Sequence, residues 1–138
     1  MLDIRSLEVN FVAKSKNKGA VTRAVNNVSL KLEKGDSLGL VGESGSGKTT
    51  IGRAVVGLNH ISAGEIFLDG ENTLGPNGKF DKKFHLRAQM VFQDPHSALN
   101  PRMTILRSVS EPLILHTRLR GVALYKKVSE LLEIVGLQ

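Results

Sequence analysis

Cysteine is absent from the 138 residues, which excludes disulfide staples and thiolate metal sites and fits a reducing compartment. No stretch approaches the roughly 18 consecutive apolar residues of a membrane-spanning helix, so no segment is expected to cross a bilayer. The opening residues Met1-Leu2-Asp3-Ile4-Arg5 lack a basic region followed by an apolar one, so no secretory leader is read there and a cytosolic protein is expected. Tryptophan is also missing, and five Phe and one Tyr complete the aromatic inventory. That scarcity bears on the net charge of +6. The basic residues Lys14, Lys16, Lys18 and Arg23, then Lys79, Lys82, Lys83 and Arg87, then Arg102, Arg107, Arg118, Arg120, Lys126 and Lys127 are spread along the chain without aromatic interleaving. Solvated faces account for them, and no nucleic-acid partner is expected. No internal repeat or low-complexity tract is present.

What is there is a glycine-rich loop. Gly42-Glu43-Ser44-Gly45-Ser46-Gly47-Lys48-Thr49 spells G-x-x-x-x-G-K-T. It follows the short apolar run Ser37-Leu38-Gly39-Leu40-Val41, which reads as a buried parallel strand. It precedes Ile51, Ala54, Val55 and Leu58 at helical spacing. A strand, this loop and a helix in that order imply a site for a nucleoside triphosphate; a Gly/Ser-rich surface turn with a lysine is the alternative.

The spacing has a chemical reason. A triphosphate needs backbone N–H groups aimed inward and the positive end of a helix dipole behind them. Side chains at Gly42, Gly45 or Gly47 would block left-handed backbone angles or the approach of phosphate oxygens. Charge-assisted N–H bonds contribute about 1.5–3 kcal/mol each, enough for micromolar binding. Lys48 suits the β- and γ-phosphates, and Thr49 offers a hydroxyl to Mg²⁺.

Around the loop, the pattern predicts a strand from Leu2 to Phe11, a lysine-rich loop from Lys14 to Gly19 and a second strand from Ala24 to Leu32. Glu33-Lys34-Gly35-Asp36 reads as a turn. A further strand is expected within residues 62–70, a loop over 74–83, and an apolar strand at Ala88-Gln89-Met90-Val91-Phe92-Gln93 that ends at Asp94-Pro95. From Thr104 the pattern is helical. Leu124, Val128, Leu131, Leu132 and Val135 form one stripe read as core packing, with Gly136 as C-terminal cap. At this length one domain is the limit, burying about two thirds of its unfolded surface if complete.

With the phosphate loop, Gly64-Glu65-Ile66 and Val91-Phe92-Gln93-Asp94-Pro95 in this order, the chain resembles an ABC transporter ATP-binding subunit. Two stretches, Leu40 to Thr50 and Gln89 to Arg102, resemble the dipeptide/oligopeptide importer branch in particular. The fold class so implied is α/β, a P-loop NTPase core of ABC type with an N-terminal antiparallel β layer. Residues 1–138 would be the N-terminal part of a nucleotide-binding domain, truncated before the signature motif. The family's LSGGQ segment, acidic strand and switch histidine have no counterpart in these residues; His60, His85, His96 and His116 lack a matching context, and Glu130 and Glu133 fall on a helix.

The resemblance also assigns roles. ATP and Mg²⁺ are the implied cofactors. Gly42, Glu43, Ser44, Gly45, Ser46, Gly47, Lys48, Thr49 and Thr50 would hold the nucleotide. Gln93 matches the Q-loop glutamine, which touches the metal and the attacking water; with Lys48 it makes the implied catalytic pair, and with Thr49 the implied metal ligands. An amide suits such a task, since its oxygen can face the metal while its NH₂ donates elsewhere. Phe11 aligns with the aromatic that stacks on adenine, although a core phenylalanine fits the same position. The implied partners are permease subunits, docking on the surface from Asp94 to about Leu115 that Pro95, Pro101 and Pro112 would stiffen, a second ATP-binding subunit and, indirectly, a solute-binding protein. The implied location is the cytoplasmic face of the plasma (inner) membrane. Hydrolysis that energises import of peptides or related solutes is the implied function, with slow turnover by these residues alone. Two other readings are open: a non-catalytic, ATP-dependent interaction module, and a P-loop ATPase acting on nucleic acid. The latter group carries a long coiled coil after the glutamine, and no sustained heptads follow Gln93.

Overall fold

A computed structural model describes residues 1–12, 20–75, 77–94 and 98–137. The lysine-rich loop expected over 14–19 lies outside them, as do Pro76, Pro95 and His96. The chain divides into two compact units, Met1–Met90 and Val91–Gln138.

The first unit is built on an antiparallel sheet of order β2-β1-β3-β4, formed by β1 (Leu2–Val12), β2 (Val21–Leu32), β3 (Ala63–Leu68) and β4 (Glu71–Asn72). β1 is central and pairs Ile4 with Leu30 on one side and with Ile66 on the other. Its buried residues are Ile4, Leu7 and Val9. Strict alternation cannot put Ile4 and Leu7 on one face. A bulge resolves this: Ser6 takes φ 48°, and the register shifts between Ile4 and Leu7 against β2 and between Arg5 and Glu8 against β3. The extra residue rephases the strand. Opposite the bulge, Gly64 (φ 88°) lies so close that an added Cβ would stand 2.4 Å from the Ser6 carbonyl oxygen and 2.6 Å from that of Arg5. Between β3 and β4, Asp69 (φ 50°) and Gly70 (φ 83°) make a two-residue turn with both φ positive, which matches the twist of a hairpin.

One helix, α1 (Lys48–Val55), covers the core face. Ala54 joins Ile4, Leu7, Val9, Val25, Ile61 and Ile66 in the buried cluster, with Ile51 and Val55 packed against it. Each fully buried Leu, Ile or Val contributes about 1.5–3 kcal/mol. The helix ends in a paired reverse turn: Gly57 (φ 74°) N–H donates to the Ala54 carbonyl and Leu58 N–H to that of Arg53.

Two expected strands are not formed. Residues 37–41 and 88–93 are irregular, and Val41 and Val91 are each 98% exposed. The reason is pairing. A buried parallel strand needs hydrogen-bonded neighbours, and no strand among the described residues pairs with either segment. Leu38 and Leu40 instead line an apolar cavity of about 470 Å³, shared with Leu2, Leu30, Ile51 and Met90.

The second unit holds α2 (Ile105–His116) and α3 (Gly121–Ile134). Thr104 caps α2, its hydroxyl accepting from Arg107 N–H at 3.2 Å. On α3 the expected stripe is realised through Val128, which is buried, and the half-buried Leu124, Leu131 and Leu132; Val135 is exposed. Gly136 (φ 78°) caps α3 as expected, its N–H donating to Glu133 while Leu137 N–H donates to Leu132.

Candidate functional site

Residues 42–47 form a loop that runs directly into α1. Gly45 (φ 85°) and Gly47 (φ 93°) both occupy the left-handed region, which lets successive N–H groups turn toward one side. The helix start is left open: Gly47 is its N-cap, no side chain caps it, and no acidic residue stands in the first turn. The amides of a first helical turn have no acceptor within the helix, so this end favours an external anion. Ser44 through Thr50 line a cavity of about 340 Å³ here.

Lys48 lies across the loop. Its Nζ donates to the carbonyls of Gly42 (2.7 Å) and Glu43 (2.6 Å) and to Ser46 Oγ (3.1 Å). The ammonium thus holds the loop's two limbs together and carries a full positive charge at the cavity. Ser46 N–H closes the turn onto the Glu43 carbonyl at 3.2 Å. Thr49 is exposed, and its hydroxyl takes no protein partner among the described residues. These residues fit a magnesium-bound polyphosphate: open amides and a cation for the anion, one unused hydroxyl for a hard metal.

Two supports were not legible in the sequence. The carbonyl of Ala24 on β2 lies 2.5 Å from where a Cβ on Gly47 would stand, so the strand braces the loop. Asn59 Nδ2 donates to the Thr50 carbonyl at 3.3 Å, tying the chain after α1 back to its first turn. Neither contact leaves a pattern in the sequence.

Phe11 pairs with Thr22 near the end of β1 and is 47% exposed. Thr22 is two residues from Ala24, so at about 3.3 Å per residue Phe11 sits within one or two rungs of the strand position that touches the loop. Gln93 lies at an exposed bend in the second unit.

Away from the loop, an ionic cluster fastens the β3–β4 turn. Asp69 accepts from the Met1 amino group and from Arg87, both at 2.6 Å, and Glu71 accepts from Lys83 at 2.6 Å and Arg87 at 3.2 Å. The Met1 amino group, followed by Arg87, holds the Asp69 carboxyl down at about 2. Lys83 and then Arg87 lower that of Glu71.

The profile of the ABC transporter family matches residues 25–138. The chain belongs to the ABC transporter family. Among curated members, the oligopeptide transport ATP-binding protein OppF of Streptococcus mutans is 41% identical over 138 residues, covering 99% of this chain and 44% of that protein. A putative peptide import ATP-binding protein of Brucella abortus is 49% identical over 119 residues, covering 85% of this chain and 35% of the relative. The chain therefore spans less than half the length of these ABC relatives. Among solved structures, a dimeric bacterial ABC transporter cassette superposes with a TM-score of 0.75 at 26% identity, covering 100% of this chain and 58% of that one. An ATP-binding cassette dimer bound to ADP and phosphate gives 0.74 at 25% identity, with the same coverage. The expected fold class, an ABC-type P-loop NTPase portion with an antiparallel β layer, is the one these ABC cassettes share.

Proposed function

We propose that this chain is the nucleotide-binding part of an ATP-hydrolysing subunit that energises import of peptides or related small solutes. The observation that carries the reading is Lys48 bridging the two limbs of a loop that feeds an uncapped helix start. Phosphate oxygens would replace the carbonyls as Lys48's partners and take the open amides, exchanging neutral acceptors for charged ones worth about 1.5–3 kcal/mol each. Thr49 would hold Mg²⁺ through its hydroxyl. When bound, the metal neutralises charge on the β- and γ-phosphates. Gln93 is assigned the second metal contact and the attacking water, and Phe11 the adenine face. The peptide cargo class is supported by the likeness to OppF-type ATP-binding proteins.

Permease subunits docking on the surface after Gln93, a second ATP-binding subunit and a place at the cytoplasmic face of the membrane complete the reading. No described helix is long and apolar enough to cross a membrane. The 138 residues contain no LSGGQ sequence, so slow turnover by this chain alone is expected. Calorimetric titration with Mg-ATP tests the central claim: binding in the micromolar range is expected, and no heat from folded protein would overturn it.

A further inference from the structure

At the opposite end of α1 from the glycine-rich loop lies a further cavity, of about 320 Å³, between residues 57–61 on one side and Leu74 with residues 78–85 on the other. That volume falls within the roughly 300–1,000 Å³ of small-ligand sites. Its chemistry is one-sided. His60, Lys79, Lys82 and His85 line it, and no carboxylate does. Of the neighbouring acids, Glu71 and Asp69 pair with Lys83 and Arg87, while Asp81 is outside the lining and caps the following turn, accepting from Lys83 N–H at 3.0 Å. Among the described residues, the side chains of His60, Lys79 and Lys82 have no hydrogen-bond or ion-pair partner. Two lysine ammonium groups on one wall, with no carboxylate in the lining, favour an anion.

The floor is aromatic and fixed. The Phe80 ring rests against the backbone at Gly57, where an added Cβ would stand 2.3 Å from Phe80 Cγ. His85 packs against Phe80 with ring centroids 5.0 Å apart. Leu74 bridges to Phe80, and Gly75 N–H donates to the Lys79 carbonyl at 2.8 Å, so the wall carrying Lys79 is tied by backbone bonds. Beside the cavity, the Arg53 and Ala54 carbonyls of α1 are taken by the N–H groups of Leu58 and Gly57.

We propose that this cavity binds a small phosphate monoester bearing a planar apolar group. Lys79, Lys82 and His60 take the phosphate oxygens, and Phe80 with His85 receives the planar group. Lysine ammonium groups suit a phosphate as point charges with three donors each, and ring faces receive flat groups.

The test is an amide-resolved NMR titration of the full chain with phenyl phosphate, inorganic phosphate and, separately, phosphatidic acid vesicles. Saturable shifts over residues 57–61 and 78–85 with phenyl phosphate are expected, weakened at least ~10-fold in a Lys79→Ala/Lys82→Ala variant. Phenyl phosphate should bind more tightly than inorganic phosphate, and Phe80→Leu should erase that preference while amides elsewhere keep their positions. Shifts confined to residues 42–50, or equal affinity in the double variant, would overturn the proposal. Lysine-dependent binding to vesicles without binding of phenyl phosphate would overturn the soluble ligand.

Discussion

The Ala24 carbonyl oxygen occupies space 2.5 Å from the position of a Cβ on Gly47. The sheet thereby braces the glycine-rich loop through main-chain atoms, which cannot swing aside as a side chain can. Gly47 also sits at φ 93°, whereas Gly45, at φ 85°, has open space where its Cβ would lie. Left-handed strain alone costs about 1–2 kcal/mol. Gly45→Ala should therefore lower stability by about that much, and Gly47→Ala by more, with loss of Mg-ATP binding. Thermal melts and calorimetry of the two variants check the ordering; equal melting points would remove Ala24 from the account.

Lys48→Ala removes three hydrogen bonds and the loop's cation. At about 1.5–3 kcal/mol for a charged contact, Mg-ATP affinity should fall ~10- to 100-fold. Phe11→Ala should cost less, since one exposed stacking face is lost and the loop is untouched. Titrating both variants beside the wild type decides whether Phe11 belongs to the site; unchanged affinity in Phe11→Ala removes it.

Gly64→Ala should be the most disruptive change in the sheet. It adds left-handed strain at φ 88° and drives a Cβ into the carbonyls of Ser6 and Arg5, at the bulge that sets the facing of Leu7 and Val9. Gly70→Ala, at φ 83° with nothing nearby, serves as its control. The melting point of Gly64→Ala should fall below that of Gly70→Ala.

The Asp69 cluster makes a pH prediction. Its carboxyl, held from 3.8 down to about 2 in the folded chain, titrates lower than in the unfolded chain at about 3.9. Its stabilisation is complete above about pH 4 and is lost as pH falls through about 2. Carboxyl-carbon NMR should place the Asp69 midpoint near the lower value and move it upward in Arg87→Ala. An unchanged midpoint in that variant would exclude Arg87 as a cause.

The glycine-rich loop before α1, strands β1 to β3 and the Gly136 cap were legible because each leaves a pattern in consecutive residues. The strand from Leu2 to Phe11 was expected, but the rephasing of Leu7 and Val9 relative to Ile4 was not legible, because the bulge at Ser6 answers to Gly64, far along the chain. Residues 37–41 and 88–93 read as strands since their apolar runs record a preference for burial; the runs carry no information about which neighbours supply it. The bracing of Gly47 by Ala24 is invisible for the same reason, as glycine's backbone angles are readable from the motif while the atom it must clear is not.

Helix α1 is a rod about 12 Å long at 1.5 Å per residue, gripped at both tips: Gly47 abuts β2 and Gly57 abuts Phe80. Such a rod cannot slide along its axis without breaking one grip. The glycines at 47 and 57 thus set where α1 sits along its axis, between β2 and Phe80.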